Sequence, residues 1–184
     1  DQAKAEQGRT ALNQLVEAAN RAHQEIRSYI LDIRRPTPQN TSDFVGTLRR
    51  FLQQTEERHG LVVSLSLPNE FPNDLLSLEA EDQLLRIIQE ALTNIQKHAS
   101  VQQARILFTL HPDEIQVIIS DEGKGFEFRI SDFGLPINDT ASSSIHNPHF
   151  GLDIMRERAE SISGSLEVRS QPGSGTQIIV RLPR

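Results

Sequence analysis

The sequence predicts an α+β domain preceded by one long helix. Residues 1–35 place apolar side chains at alternating spacings of three and four, which is the period of one helix face. Pro36 and Pro38 then end this helix and begin a short linker. Beyond them, amphipathic helical patterns alternate with short runs in which every second residue is apolar, the period of a strand. Two regions are therefore predicted, a helix with its linker over residues 1–38 and a folded domain over residues 39–184.

The apolar face of the long helix is wider than that of a two-stranded coiled coil. Two adjacent rows run along it, one made of Leu12, Leu15, Ala19, Ala22, Ile26, Tyr29 and Ile33, and the other of Leu12, Val16, Ala19, His23, Ile26, Ile30 and Ile33. A stripe of this width is typical of a helical bundle. We expect another chain, or residues outside this sequence, to cover it.

The folded domain is predicted to contain three helices and five strands. The helices span residues 44–59, 79–99 and 151–163, and the strands span residues 61–67, 104–110, 115–120, 165–170 and 176–182. Ser42 or Asp43 caps the first helix. Residues 122–149 are rich in Gly, Ser, Asn, Asp and Pro, and a loop of this length is typical of a lid, a binding loop or a disordered insert.

Bulk composition restricts the classes of partner and site. The net charge of −6 argues against nucleic acid and anionic lipid as partners. The absence of cysteine excludes disulfides and thiolate metal sites. No apolar run approaches the ~20 residues needed to cross a bilayer. We therefore expect this fragment to be cytoplasmic, with any membrane anchor of the full-length protein in segments outside it.

The helix over residues 79–99 has an apolar side and, roughly opposite, a polar cluster of Glu90, Asn94, Lys97 and His98. Charges on a helix are usually only solvated, so a plain surface face is the alternative interpretation. Asparagine, however, is a weak helix former, and its amide oxygen suits Mg²⁺. Glu90 can order or deprotonate a water or a nucleophile, and Lys97 offers a positive charge to phosphate. The cluster is therefore a candidate phosphate and magnesium site.

Four short segments together resemble the motifs of a known family. They are QEALTNIQKHA at 89–99, DEGKGF at 121–126, FGLDIMRERA at 150–159 and GSGT at 173–176. In this order they are similar to the asparagine box and the three glycine-containing boxes of sensor histidine kinases, above all the nitrate-sensor, LiaS and DesK subfamily. Each motif alone is weak, because short glycine motifs recur by chance. All four in the right order make a specific resemblance.

This resemblance implies a two-layer α/β sandwich with a mixed sheet, the ATP-binding fold that histidine kinases share with DNA gyrase and the heat-shock chaperone ATPases. It implies ATP and Mg²⁺ as ligands, with Glu90 and Asn94 as catalytic residues and Asn94 as the magnesium ligand. The ATP-binding residues that it implies are Asp121, Gly123, Gly125, Lys97, His98, Gly151, Leu152, Arg158, Gly175 and Thr176. Residues 122–149 correspond to the lid over the nucleotide.

Elementary chemistry supports some of these roles and leaves others open. Asp121 ends a strand, where its carboxylate can accept a hydrogen bond from the adenine amino group, as the family implies; the alternative is an ordinary turn carboxylate. Gly151 opens a helix whose N-terminal amides suit an anion. Arg158 either reaches phosphate or pairs with a neighbouring glutamate of its own helix. Thr176 either turns its hydroxyl toward Asp121 or a bridging water, or is an ordinary strand threonine.

The phosphoacceptor histidine of the family is expected to be absent. In the family a bundle of two helices per chain precedes the ATP-binding domain, and the acceptor lies on the first helix, followed by an acid. Here the long helix resembles the second bundle helix, and His23 is followed by Gln24. Residues 1–38 are therefore interpreted as the C-terminal part of a dimerisation bundle, and residues 39–184 as the catalytic domain. We expect ATP binding with weak or absent self-phosphorylation.

The function implied by the resemblance is that of a histidine kinase in a two-component system. Such a kinase passes the γ-phosphoryl group of ATP to a histidine and then to the receiver domain of a response regulator, and we expect the full protein to be a homodimer through its N-terminal helix. Two alternatives share the fold, namely an ATPase or anti-sigma-type serine kinase, and a non-catalytic dimerising ATP-binding module. The sequence contains neither a P-loop nor the glycine fingerprint of a dinucleotide-binding unit.

Overall fold

The computed structural model describes residues 43–72, 75–127 and 150–184. The helix predicted over residues 1–35, with His23, lies outside the described residues, and so does most of the predicted lid. The assignment of residues 1–38 to a dimerisation bundle therefore stays a prediction. Within the described ranges, no helix combines the length and the apolar character that crossing a bilayer requires.

The three predicted α-helices of the domain are confirmed. Their bounds are α1 Phe44–His59, α2 Leu78–Asn94 and α3 Phe150–Ser161. Asp43 caps α1, because its side-chain Oδ1 accepts a hydrogen bond from the amide of Gly46 at 2.8 Å. The same helix ends at Gly60, whose φ of 67° is in the left-handed region that glycine favours. Ser77 caps α2 by accepting from the amide of Ala80.

Five strands form one mixed sheet, as predicted. Their bounds are β1 Val62–Ser66, β2 Gln103–Leu110, β3 Glu114–Asp121, β4 Ser165–Ser170 and β5 Thr176–Pro183. The strand order is β1-β2-β3-β5-β4, in which β1 runs parallel to β2 and every other neighbouring pair is antiparallel. The parallel pair is possible because the long connection through α2 joins β1 to β2.

One face of the sheet is covered by the helices, which makes the fold a two-layer sandwich. Along β2 the side chains alternate between buried and exposed, so one face contacts the core and the other faces solvent. A single apolar core joins the sheet to all three helices. Its helical members include Phe44, Leu48 and Leu52 of α1, Leu84, Ile87, Ile88, Ala91 and Leu92 of α2, and Leu152, Met155 and Ala159 of α3.

The C-terminal end of α2 differs from the prediction. One continuous helix is predicted over residues 79–99, but the α-helix ends at Asn94 and the chain continues as a π-helical turn, Ile95–Ala99. Ser100 then adopts a left-handed conformation with φ 61°. The carbonyl of Ala99 accepts the amide of Lys124 at 3.0 Å, so this turn ends against the segment that follows β3. Such π turns are rare and occur often at functional sites.

Candidate functional site

A cleft of about 350 Å³ lies between α2 with its π turn, the start of α3, and strands β3 and β5. Part of its lining is apolar and can contact a flat ring, namely Ala91, Ile95, Ile119, Leu152 and Ile178. Seven residues of the predicted site line this cleft: Asn94, His98, Asp121, Gly125, Gly151, Leu152 and Thr176. The structure therefore brings together residues from all four sequence motifs.

Asp121 is the buried carboxylate of the cleft. It is the last residue of β3, only 7% of its surface is exposed, and its Oδ1 accepts a hydrogen bond from the amide of Gly123 at 2.7 Å. Burial raises the pKa of Asp121, and backbone hydrogen bonds from Gly123 and Thr176 partly offset this by lowering it. The carboxylate is thus fixed by backbone groups while it lines a cavity, where it can accept a hydrogen bond from a ligand.

Backbone hydrogen bonds connect the loop after β3 to two other motifs. The amide of Lys124 donates to the carbonyl of Ala99 at 3.0 Å, and the carbonyl of Lys124 accepts from the amide of Gly173 at 2.7 Å. A further hydrogen bond of 3.0 Å runs from the amide of Phe126 to Oγ of Ser170. The π turn, the loop after β3 and the β4–β5 turn therefore form one hydrogen-bonded unit around Asp121.

Glycines are required in this unit because backbones approach each other too closely for a side chain. A Cβ atom on Gly123 would lie 2.4 Å from the carbonyl oxygen of Ala99. On Gly175, which has φ 74°, it would lie 2.0 Å from the carbonyl oxygen of Asp121. Gly125, with φ 56°, would place it 2.1 Å from the carbonyl oxygen of Gln171. These three predicted site residues thus act by letting the backbone segments around Asp121 pack together.

The opposite part of the cleft lies where the first turn of α3 meets α2. A Cβ atom on Gly151 would lie 2.4 Å from Oε1 of Glu90 and 3.3 Å from Nδ2 of Asn94. The glycine therefore lets α3 begin directly beside these two side chains. The free amides at the start of a helix attract an anion, and the amide of Asn94 is adjacent to them. The start of α3 and the amide of Asn94 thus offer hydrogen-bond donors for a phosphate, beside the carboxylate of Glu90.

The two basic residues of the predicted helix 79–99, Lys97 and His98, both lie on the π turn, and only one of them lines the cleft. Both side chains are exposed, but His98 lines the cleft and Lys97 does not. Burial lowers the pKa of His98, and the positive charges of Lys97 and Lys124 lower it further. At neutral pH the imidazole is therefore mainly uncharged and able both to donate and to accept a hydrogen bond.

Thr176 and Arg158 make contacts that the sequence does not predict. Ser170 Oγ donates to the carbonyl of Gly175 at 3.0 Å and lies 3.0 Å from Oγ1 of Thr176, so the Thr176 hydroxyl donates to Ser170. One of the contacts considered for this hydroxyl is with Asp121, whose carboxylate instead accepts a hydrogen bond from the Thr176 backbone. The guanidinium of Arg158 donates to Oε1 of Gln83 in α2 at 2.8 Å, rather than to a glutamate of its own helix.

Some residues of the site are missed by sequence reasoning. Lys124 lines the cleft but is noticed only as the variable position between two motif glycines. Ser170 hydrogen bonds to Phe126, Gly175 and Thr176, yet as a polar residue at a strand end it gives no sequence signal. The apolar residues Ile119 and Ile178 follow the strand period and are indistinguishable from ordinary core residues before the fold is known.

Comparison with known proteins identifies the family of this fold. A family model for histidine kinase-, DNA gyrase B- and HSP90-like ATPases matches residues 79–184, which is more than half of the chain. The chain belongs to this family. The predicted fold and the resemblance on which it rests are therefore confirmed.

Characterised relatives of the chain are sensor histidine kinases. It is 30% identical over 162 residues to the histidine-protein kinase/phosphatase DegS of Brevibacillus brevis, covering 86% of this chain and 37% of DegS. It is 28% identical to the sensor kinase LiaS of Bacillus subtilis, covering 90% of this chain and 41% of LiaS. The nitrate/nitrite sensor NarQ of Escherichia coli is 29% identical, covering 89% of this chain and 26% of NarQ. The chain thus spans less than half the length of each.

A solved structure confirms the fold independently of sequence. The histidine kinase domain of the blue-light activated kinase EL346 from Erythrobacter litoralis superimposes with a TM-score of 0.54 at 18% identity. The match covers 76% of this chain and 64% of that domain. At this identity the likeness concerns the fold alone.

Proposed function

We propose that this chain is the ATP- and magnesium-binding catalytic part of a sensor histidine kinase. In this role it transfers the γ-phosphoryl group of ATP to a histidine other than His23, and that group then passes to the receiver domain of a response regulator. The proposal rests on one observation: Asp121 lines one part of the cleft, and Asn94 and Gly151 line the other part of the same cleft. The membership in an ATPase family and the sensor kinases among its relatives support it.

The part of the cleft around Asp121 suits adenine. Its buried carboxylate accepts a hydrogen bond from the exocyclic amino group, and Ile119 and Ile178 beside it provide apolar contact for the ring. Guanine carries a carbonyl oxygen at the equivalent position. That oxygen and the carboxylate are both hydrogen-bond acceptors, so no hydrogen bond can form between them. The geometry therefore favours ATP over GTP.

The part of the cleft around Gly151 suits the phosphates and the metal. When bound, Mg²⁺ neutralises phosphate charge, and the side-chain oxygen of Asn94 is the ligand that would hold it. Among the described residues there is no group of three or more His, Cys, Asp or Glu side chains that could hold a metal. One amide oxygen beside a phosphate site fits Mg²⁺, since this ion keeps several waters and phosphate oxygens.

Glu90 is the proposed general base for the attacking nucleophile, although it is not itself among the residues that line the cleft. Its carboxylate lies against the first turn of α3, next to Asn94 and therefore close to the proposed phosphate position. There it can accept the proton of an incoming imidazole while the phosphoryl group is transferred. The acceptor histidine, the homodimer formed by the N-terminal helix and the response regulator partner are parts of the same proposal.

Calorimetric titration of ATP into the chain, with and without Mg²⁺, tests this proposal. We expect ATP to bind, Mg²⁺ to tighten the binding, and Asp121→Asn to weaken it roughly tenfold to a hundredfold, because a hydrogen bond to a charged group is lost. Asp113→Asn, at an exposed turn carboxylate, is the matched control and should bind ATP like the wild type. A wild-type chain that binds no ATP, or Asp121→Asn with unchanged affinity, contradicts the proposal.

A further inference from the structure

Arg158 and Gln83 join α3 to α2 at a distance from the cleft. Nη1 of Arg158 donates a hydrogen bond of 2.8 Å to Oε1 of Gln83, and both residues are half-buried. Neither of them lines the cleft. This hydrogen bond connects the two helices directly, and it forms only when their side chains are at the right distance and angle.

The Arg158–Gln83 hydrogen bond lies two helical turns from the place where Gly151 approaches Glu90 at the cleft. Gly151 and Arg158 are seven residues apart on α3, and Gln83 and Glu90 are seven residues apart on α2. At a rise of 1.5 Å per residue, each separation is about 10.5 Å. Gly151 contacts Glu90 and Arg158 contacts Gln83, so the helices are antiparallel and two equally spaced contacts fix their register.

We propose that Arg158 is a positioning residue, which through Gln83 holds α3 in the register that keeps its first turn beside Asn94. This inference rests on the proposed function, since the first turn matters only if it binds phosphate. Side-chain packing between the two helices constrains this register through shape, although the hydrophobic effect itself has no direction. A hydrogen bond is directional and weakens steeply when it is stretched or bent. Sliding α3 along α2 would therefore break the Arg158–Gln83 bond.

The alternative role for Arg158 is direct contact with a phosphate. Its position two helical turns after Gly151 and its bond to Gln83 favour the positioning role. The two roles make different predictions for Gln83. A direct phosphate contact needs Arg158 alone, whereas a positioning contact needs both partners, so removing either one should have the same effect.

A double-mutant cycle on the 184-residue chain separates the two roles. Affinities for ATP with Mg²⁺ are measured by calorimetry for Gln83→Ala, Arg158→Ala and the double variant, and affinities for adenosine by NMR titration. Arg49→Ala, at an exposed arginine of α1, is the control. We expect each single variant to bind ATP roughly three- to tenfold more weakly and the double variant to be no weaker than the singles. Adenosine affinity should not change.

The remaining outcomes overturn the inference. A loss in Arg158→Ala without a loss in Gln83→Ala, or losses that multiply in the double variant, would assign Arg158 to the phosphate. Equal weakening of ATP and adenosine binding would mean general loosening of the fold. If a single variant does not fold, Arg158→Lys and Gln83→Glu replace it, and the pair should then retain most of the ATP affinity. A wild-type chain that binds neither ligand would instead refute the proposed function itself.

Discussion

The two parts of the cleft are built in different ways. Around Asp121, three segments are held together by backbone hydrogen bonds, and added Cβ atoms at Gly123, Gly125 and Gly175 would collide with backbone carbonyl oxygens. Around Gly151, the nearest atom to an added Cβ is the end of a flexible side chain, Oε1 of Glu90. A collision with backbone requires the fold to shift, whereas a glutamate can change rotamer.

This difference separates stability from function within one site. Around Asp121 the backbone segments pack directly on each other, so an added side chain at one of its glycines is expected to act first on the free energy of unfolding. The part around Gly151 depends on the placement of a helix start and of two side chains. Substitutions there are expected to act on ligand affinity while the fold remains intact. Gly175 and Gly151 provide the direct comparison, because both change from glycine to alanine.

Gly175→Ala should have the largest effect on stability. Gly175 combines a φ of 74° with a Cβ position 2.0 Å from the carbonyl oxygen of Asp121. We expect the free energy of unfolding to fall by about 3 kcal/mol, from the strained backbone and the collision together. Gly173→Ala is the matched control, since Gly173 has φ 79° but nothing within 4 Å of the added atom. Its cost should be only about 1 kcal/mol.

Urea unfolding of both variants measures this difference. Equal losses for Gly175→Ala and Gly173→Ala would show that left-handed conformation alone accounts for the effect, and that the close approach to Asp121 contributes nothing. The close backbone packing around Asp121 would then not explain why its glycines are needed for stability.

Gly151→Ala should have an intermediate effect, and on a different quantity. The added Cβ displaces the Glu90 carboxylate and crowds Asn94, so we expect ATP affinity with Mg²⁺ to fall roughly tenfold. The free energy of unfolding should change by less than about 1 kcal/mol, because alanine is the better helix former. Calorimetry and urea unfolding of the same preparation give both numbers. Glu160→Ala, at an exposed position of α3, is the control for a substitution on this helix that does not reach the cleft.

A loss of stability in Gly151→Ala as large as that in Gly175→Ala would break the comparison. So would unchanged ATP affinity, since the close approach of α3 to Glu90 would then have no role in binding.

The order of elements and the motif residues can be predicted from this sequence, but several contacts cannot. Helical and strand periods predict the bounds of the elements to within two residues, except for the C-terminal end of α2. The π turn after Asn94 is not predictable, because it depends on the bond between Ala99 and Lys124, which are distant in sequence. The contact of Arg158 with Gln83 likewise depends on the register of two helices. Tertiary contacts decide such details, and periodicity carries no information about them.

Asp121→Asn should have the smallest effect on stability, with a sign that depends on pH. Burial raises the pKa of Asp121 above its ordinary value of 3.8, so between the two values the folded chain binds more protons than the unfolded chain. Wild-type stability therefore falls as pH rises through this window. Asparagine carries no charge, so the variant should become more stable relative to the wild type as pH rises, although it binds ATP more weakly.

Glu167→Gln, on the other face of the sheet, should change the pH dependence of stability in the opposite direction. Hydrogen bonds from Arg169 and Arg181 lower the pKa of Glu167, so this carboxylate adds stability above its ordinary pKa and loses it as pH falls. Thermal unfolding from acidic to neutral pH should show Asp121→Asn gaining and Glu167→Gln losing relative to the wild type. Parallel pH profiles for the two variants would mean that burial of Asp121 carries no cost. The interpretation that burial of the Asp121 carboxylate lowers stability, and that this residue serves ligand binding instead, would then be wrong.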